Sequence, residues 1–515
     1  MDKGTILKSF IENGILISPN FLNGLDENFN YDGFFEFAKD RLKSKPMVFN
    51  NEFENIIKDF KDKQVENKNT IQIQKNEISS EANVIILKSY NEEIQKKEVK
   101  SFVNYFKNRY NSLRDILSVR QELQESVSIS RLTRKKEKEV VSVIGMVLEK
   151  SETKNGNIKI TLEDTSGIFD ILIMKNKKEV YDIARDLVLD EVVGVAGVMG
   201  EKIIFCNSII LPEIPINNEL KKSPDEVYAV FISDIHFGIK NFLDEDFMKF
   251  ISWLKGEFGN DNQRDIANKV KYLFVTGDVV EGIGIYPGQE EDLEIKDIYG
   301  QYEKATKYFK MIPRHIKIII CGGNHDAIRM SEPQPLFDRN ITPGFYEIPN
   351  MVIVSNPAMV NIHSSEEFPG FNVLMYHGFS FPFYADAVPS IRSKGGLARC
   401  DLIMRFLLQR RHLAPSHSST QYVPDENFDP LVIDKVPDIF VSGHIHQITT
   451  SNYRNVSLIN SSCWVIQSED NAKRGIIPNP AKIPIMNLKT REVRIMNFLS
   501  DDIKVLVNER LGLKG

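Results

Sequence analysis

The stretch from Phe231 to Gln447 constrains the fold most, because short apolar runs in it are followed repeatedly by polar motifs. Short apolar runs that are bounded by glycine predict buried strands. The polar residues should therefore lie where strands end and loops begin, which is where functional sites are commonly built. The five motifs are Ser233-Asp234-Ile235-His236, Gly277-Asp278, Gly323-Asn324-His325-Asp326, Tyr376-His377-Gly378 and Gly443-His444-Ile445-His446.

These motifs contain the donors of a dinuclear metal centre. They hold three Asp, one Asn and five of the nine His of the chain. Hard and borderline divalent ions bind carboxylate oxygen and imidazole nitrogen, and one bridging carboxylate can hold two ions close together. Each motif alone also fits a structural polar pair at a strand end. All five in this order and spacing predict a site for two divalent metals.

Composition and charge restrict the partners. A chain of 515 residues predicts about two to four domains. Its formal net charge of -6 gives no global basic field, so any contact with nucleic acid must come from local patches. The four cysteines form no CxxC pair, which favours a reducing, cytoplasmic location. We expect neither a signal peptide nor a membrane span.

Four regions are predicted along the chain, which make it a multidomain α+β protein. Residues 1–61 have apolar residues at helical spacing and predict a helical accessory module. Residues 62–90 predict a flexible linker, since the tract 62–83 is rich in Lys, Gln, Asn, Glu and Ser and has no aromatic residue. Residues 91–215 predict a helix followed by a β-rich domain. Residues 226–515 form the domain that carries the five motifs.

The β-rich domain has the pattern of a five-stranded OB barrel. Three strand-like segments, a helix from Lys178 to Leu187 and two further strands follow one another within about 80 residues. Many OB folds bind single strands by stacking bases on exposed aromatic residues. Apart from Tyr181 on the helix, Phe169 and Phe205 are the only aromatic residues here. A scaffolding role for the barrel is therefore favoured over DNA binding.

The five motifs together resemble the calcineurin-like metallophosphoesterase superfamily over about residues 226–498. The resemblance implies two packed β-sheets flanked by helices and two divalent ions; manganese is the expected ion, with nickel, iron or zinc as alternatives. The positions that match metal ligands are Asp234, His236 and His446 for the first ion, Asn324, His377 and His444 for the second, and Asp278 as the bridge. His325 matches the catalytic histidine that is not a ligand, with Asp326 orienting it.

The layout of the whole chain is also similar to that of the small-subunit family of archaeal family D DNA polymerases. The segment from Leu407 to Pro415 looks like a signature of these subunits. The resemblance implies a 3′–5′ exonuclease that proofreads, a heterodimer with the large catalytic subunit, and DNA 3′ ends as substrate. The sliding clamp is a further candidate partner. A basic segment between two ligand motifs could hold DNA phosphates, and its candidate contacts are Arg392, Lys394, Arg410, Arg411 and His412.

Three alternatives stay open from the sequence. Arg410, Arg411 and His412 could instead pair with local acids and fix their helix. The same metals would also serve a phosphatase or a phosphodiesterase that acts on a substrate other than DNA. The chain could finally be a scaffold subunit without significant nuclease activity.

Overall fold

The computed structural model describes residues 16–17, 48–49, 82–91, 96–466 and 478–501. The chain divides into two units, Met1–Lys75 and Asn76–Gly515. In the first unit, strands β1 (Leu16–Ile17) and β2 (Val48–Phe49) pair in parallel. The predicted helical module 1–61 otherwise lies outside the described residues.

The region predicted as a linker ends in a strand. Residues Val84–Ser89 form β3, which pairs antiparallel with a strand of the motif-bearing domain. The prediction that residues 62–90 are a flexible linker is therefore wrong for 84–89. The reason is local, since a run of four apolar residues, Val84-Ile85-Ile86-Leu87, follows the polar tract and contributes to the sheet.

A closed five-stranded barrel follows, as predicted. Its strands have the neighbour order β4-β5-β6-β8-β7, and β7 pairs with β4 to close it. A core of alternating Val, Ile and Leu side chains fills the barrel. The elements of this region are α1 (Val99–Ser118), α2 (Ile129–Leu132), β4 (Val140–Glu152), β5 (Ile158–Asp164), β6 (Gly167–Ile173), α3 (Lys178–Asp186), β7 (Val192–Met199) and β8 (Ile203–Ile210).

The motif-bearing domain contains two six-stranded sheets. The first has the order β12-β11-β10-β9-β18-β19 and the second the order β16-β17-β15-β14-β13-β3. The strands of the first sheet are β9 (Tyr228–Ile232), β10 (Val270–Thr276), β11 (Lys317–Cys321), β12 (Met351–Ile353), β18 (Lys482–Asn487) and β19 (Val493–Asn497). Besides β3, the second contains β13 (Ala358–Ile362), β14 (Phe371–Met375), β15 (Ile439–Ser442), β16 (Thr449–Tyr453) and β17 (Val456–Asn460).

The sheets pack face to face, and helices cover their outer faces. Phe231 and Phe274 of the first sheet share one buried cluster with Val373 and Val441 of the second. Strand side chains alternate between faces, so Val230 packs outward against the helices. The helices are α4 (Asp244–Leu254), α5 (Asp261–Asn268), α6 (Ile298–Phe309) and α7 (Pro343–Tyr346) on the first sheet and α8 (Phe381–Ala387), α9 (Pro389–Arg392) and α10 (Cys400–Arg410) on the second.

This arrangement is the predicted calcineurin-like architecture of two sheets between helices. Among the described residues, no helix is both long and apolar enough to cross a membrane.

Candidate metal centre

The five motifs begin where five strands end. β9, β10 and β11 run parallel in the first sheet, and β14 and β15 run parallel in the second. Because the carboxyl ends of parallel strands meet at one edge, the loops that follow them converge there. Sequence-distant polar side chains are thereby brought to one place between the sheets.

The predicted ligands lie in two groups that share one carboxylate. In the first group, His446 Nε2 lies 3.4 Å from Asp234 Oδ1 and 3.1 Å from His236 Nε2. In the second, His377 Nε2 lies 3.2 Å from Asp278 Oδ2. The same Oδ2 atom lies 4.0 Å from His236 Nε2. Asp278 thus faces both groups, as a bridging ligand must.

Two further predicted ligands complete the second group. The donor atoms of His444, Asp278 and His377 lie within 4.8 Å of one another. Asn324 Oδ1 lies 3.0 Å from His377 Nε2. The seven predicted ligands are thus all brought together, and the carboxylate, imidazole and amide donors match what borderline divalent ions accept.

The ligand loops have an unusual backbone. Five of the seven predicted ligands have positive φ angles between 49° and 71°. This left-handed conformation is uncommon for residues other than glycine and costs free energy that the surrounding structure must offset. Such strain collects at functional sites, where it directs side chains toward a ligand. The five residues are Asp234, His236, Asp278, His444 and His446.

Glycine precedes the ligands because the loops approach each other too closely for a side chain. A Cβ atom on Gly277 would lie 2.4 Å from His377 Nδ1, and one on Gly323 would lie 2.3 Å from Asp278 Oδ1. Gly277 also has a φ of 83°. The Gly-Asp and Gly-Asn steps in the sequence therefore reflect packing of one ligand loop against another.

The outer nitrogens of two predicted ligand histidines lie close to oxygen atoms of the protein. His377 Nδ1 lies 2.9 Å from the carbonyl oxygen of Thr276, and His236 Nδ1 lies 2.8 Å from Glu281 Oε2. A carbonyl or carboxylate at Nδ1 fixes the ring and leaves Nε2 to bind a metal. Both Nε2 atoms point into the centre, so the residues present fit a pair of divalent cations.

His325 is oriented by Glu281, which corrects the prediction for Asp326. The Nδ1 atom of His325 lies 2.8 Å from the backbone oxygen of Glu281 and 3.7 Å from its Oε2 atom. Asp326 instead accepts hydrogen bonds from the backbone nitrogens of Gly323 and Val279. Its carboxylate thus braces the loop and does not orient the imidazole. Asp326 points away because the chain turns between the two residues.

Glu281 is the site residue that the sequence reasoning missed. It is 3% exposed and contacts both His236 and His325. Burial raises the pKa of its carboxyl, but the facing imidazoles of these two residues outweigh burial and lower it. A signal was present, since an acid follows the bridging Asp278 by three residues on the same loop.

The electrostatics keep the carboxylate of Asp278 ionised. Burial raises the pKa of Asp278, yet the imidazoles of His377 and His325 outweigh burial and hold it well below its usual range. Burial lowers the pKa of His377, but Asp278 outweighs it and raises that pKa to about 9. Burial lowers the pKa of His444 to about 3. Asp278 is thus an anion and His444 a neutral imidazole, while His377 pairs with Asp278 as an imidazolium and would lose a proton on binding a metal.

Three of the predicted DNA contacts are buried and already paired, which corrects the prediction for them. Arg410 Nε lies 3.2 Å from Glu191 Oε2. Arg411 donates to the carbonyl oxygens of Ile433 and Asp434, and His412 Nε2 lies 2.8 Å from Asp429. Their polar groups are paired within the protein, because the end of α10 lies against the barrel and the second sheet.

The other two predicted DNA contacts, Arg392 and Lys394, are exposed and not buried. The guanidinium of Arg392 has only a distant acid, Asp386 at 3.9 Å. The structure leaves these two residues available to a phosphate, and their role as DNA contacts stays a prediction.

The chain has close relatives among archaeal replication proteins. The calcineurin-like phosphoesterase family matches residues 228–448. The chain is 38% identical over 390 residues to the DNA polymerase II small subunit of Methanothermobacter thermautotrophicus, covering 76% of this chain and 78% of that protein. It is 40% identical to the same subunit of Archaeoglobus fulgidus, covering 75% of each chain. For the Thermoplasma acidophilum subunit the identity is 32%, over 97% of this chain and 93% of that protein.

Proposed function

The chain belongs to the family of archaeal DNA polymerase II small subunits, and we propose that within that family it acts as a 3′–5′ exonuclease. The observation that supports this most is the pair of ligand groups that share Asp278, with the imidazole of His325 beside them. Proofreading requires hydrolysis of the last phosphodiester of a DNA strand. A two-metal centre is suited to that reaction, since two divalent ions stabilise the attacking and the leaving oxygen of an in-line displacement and supply the nucleophile.

The predicted ligands would hold two metal ions. Asp234, His236 and His446 would hold one ion, the group of Asn324, His377 and His444 would hold the other, and Asp278 would contact both. We propose manganese for both positions. The carboxylates and the Nε2 atoms arranged here provide the charge and the lone pairs that such ions need.

His325 would protonate the leaving oxygen. Its Nδ1 atom must donate to the backbone oxygen of Glu281, because a carbonyl can only accept. The proton that His325 can transfer therefore lies on Nε2. The carboxylate of Glu281 lies farther from Nδ1, at 3.7 Å. With a proton on Nε2, His325 would donate it to the 3′ oxygen of the penultimate nucleotide as the terminal nucleotide departs.

The partner we propose is the large catalytic subunit, as the name of the relatives implies. The chain would then both hold that subunit and remove misincorporated nucleotides. DNA 3′ ends are the substrate, and the exposed residues Arg392 and Lys394 would contact phosphates of the strand.

The test is manganese-dependent digestion of single-stranded oligonucleotides that are labelled at the 3′ or the 5′ end. The wild type should shorten the strand stepwise from its 3′ end. His325→Ala should lower the rate by about 10²- to 10⁴-fold while its bound manganese stays the same. If the wild type digests no DNA, alone or with its large subunit, the exonuclease proposal is refuted. Turnover of a chromogenic phosphodiester without digestion of DNA would support another substrate.

A further inference from the structure

The five ligand motifs contain no lysine or arginine side chain, and those nearest to them in sequence are Lys240 and Arg329. The segments 233–239, 277–284, 323–328, 376–380 and 443–448, all within the described residues, contain no Lys or Arg. A strand that enters the centre therefore finds no cationic side chain on these segments for its neighbouring phosphates. Proteins that bind single strands use a second means of contact, in which bases stack on aromatic side chains.

Phe379 is placed for such a contact. It follows the predicted ligand His377 by two residues, and its ring lies 5.6 Å from the ring of His444, at an interplanar angle of 64°. The side chain is partly exposed. The aromatic ring of Phe379 therefore lies beside a predicted metal ligand and is still partly open to solvent.

Ile283 lies beside the other part of the centre. It is 45% exposed and stands between Gly282 and Gly284, whose φ angles are 78° and 75°. The backbone of Gly282 packs against that of His325, since a Cβ atom there would lie 2.3 Å from the His325 oxygen. The loop thus carries an exposed apolar residue directly after a backbone contact with the proposed proton donor.

We propose that Phe379 stacks on the base of the 3′-terminal nucleotide and that Ile283 packs on the base before it. This assignment rests on the proposed exonuclease function. His325 acts on the 3′ oxygen of the penultimate nucleotide, so its neighbour Ile283 meets the penultimate base, and Phe379 meets the terminal one. A base that stacks on protein must leave its duplex partner, which costs least when it is mismatched or single-stranded. The two side chains thereby select unpaired ends.

The experiment follows a fluorescent base analogue, 2-aminopurine, which is quenched on stacking. It is placed at the terminal, the penultimate or an internal position of a single-stranded oligonucleotide, which is titrated with the full chain in EDTA. The terminal analogue should be quenched by the wild type and by Phe379→Tyr, and not by Phe379→Leu. Ile283→Ser should change only the signal of the penultimate analogue.

Affinity for the same ends gives a second readout. Phe379→Leu should bind a normal 3′ end about 5- to 100-fold more weakly and an end with an abasic terminal nucleotide as well as the wild type does. The matched controls are Phe258→Leu and Ile495→Ser, which change side chains that are 42% and 49% exposed elsewhere on the domain. These controls should not alter quenching or affinity.

Several results would overturn the assignment. These are a terminal analogue that the wild type does not quench, unchanged quenching in Phe379→Leu, or an equal effect of Phe258→Leu. Because the titration needs no cleavage, it is read separately from the digestion assay. Loss of digestion with normal quenching refutes the exonuclease alone, and normal digestion without quenching refutes the stacking alone.

Discussion

Replacing Glu281 with glutamine should weaken manganese binding about tenfold. The carboxylate lies 2.8 Å from Nδ1 of the predicted ligand His236, and its other oxygen accepts a hydrogen bond from Gln289 at 2.9 Å. Glutamine keeps the shape and an acceptor oxygen but removes the negative charge. Partners of this kind, which hold the outer nitrogen of a metal-bound imidazole, typically change metal affinity by about 10- to 100-fold when mutated.

The structure places the glutamine variant at the lower end of that range. A polar contact to a charged group contributes about 1.5–3 kcal/mol and a neutral one about 1 kcal/mol, so the loss of charge at Glu281 costs roughly 0.5–2 kcal/mol. The tenfold figure corresponds to about 1.4 kcal/mol. Glu281→Ala removes the acceptor as well and leaves a cavity, so its affinity should fall toward 100-fold below that of the wild type.

The assay is competition for manganese between the protein and a fluorescent chelator, which needs no substrate. The rate of digestion at saturating manganese should fall much less than the affinity, because the contact from His325 to the backbone oxygen of residue 281 survives the substitution. Glu290→Gln is the matched control, since Glu290 lies on the same loop and is exposed.

The reasoning would be refuted if Glu281→Gln bound manganese as tightly as Glu290→Gln does. It would also be refuted if Glu281→Gln lowered the rate of digestion and the affinity for manganese by equal factors. In that case the carboxylate would act on the reaction itself and not through the ligand His236.

Three further predictions concern stability and the ligand loops. Asp429→Asn leaves the buried guanidinium of Arg109, 2.7 Å away, without a counter-charge. It should lower the free energy of unfolding by about 3–5 kcal/mol, and an unchanged urea midpoint would contradict this. Burial raises the pKa of Glu332 to about 7, so the folded state holds a proton there that the unfolded state releases above its ordinary value of 4.5. The stabilisation from the Glu332 carboxyl should therefore be present below pH 4.5 and be lost as the pH rises to 7. Glu332→Gln should flatten the pH dependence of the urea midpoint between these values. If the pH dependence of the midpoint stayed unchanged, Glu332 would not be its source. Gly277→Ala should reduce manganese affinity, because its Cβ would lie 2.4 Å from His377. Gly284→Ala is the control, since this residue has a similar φ but open space around it, so the variant carries only the backbone strain. Equal manganese affinities in the two variants would count against the proposed clash.

The ligand set could be predicted because its signals are local. Each apolar run specifies a buried strand, and the residues just after it must lie at the strand end. Parallel strands of one sheet then bring those ends together without further information. For this reason Asp234 and Asp278 could be placed at strand ends from the apolar runs before them, and the structure brings both beside His236. Their roles as ligands are implied by the resemblance of the five motifs together.

The orientation of His325 could not be predicted in the same way. The adjacent acid, Asp326, is the natural partner by sequence, but the loop turns its carboxylate toward the backbone of Gly323. The partner that contacts the imidazole comes from a different loop, 44 residues earlier. Which acid reaches a ring depends on the path of two loops with positive φ angles, and a linear motif does not contain that path. Strand β3 could not be predicted because a short apolar run does not show which strand it pairs with, and its partner β13 lies far along the chain.

The buried basic residues of α10 show what the signature segment does instead of binding DNA. Arg410 reaches Glu191, which lies just before a barrel strand, while His412 shares Asp429 with Arg109 of α1. A buried ion pair contributes little net stability, yet removing one partner is costly. Such pairs therefore fix the relative placement of the barrel, α1 and the second sheet more than they stabilise any one of them. The proposed exonuclease would need its centre at a defined position beside the large subunit, and that need would account for charged residues in a place where apolar ones would pack as well.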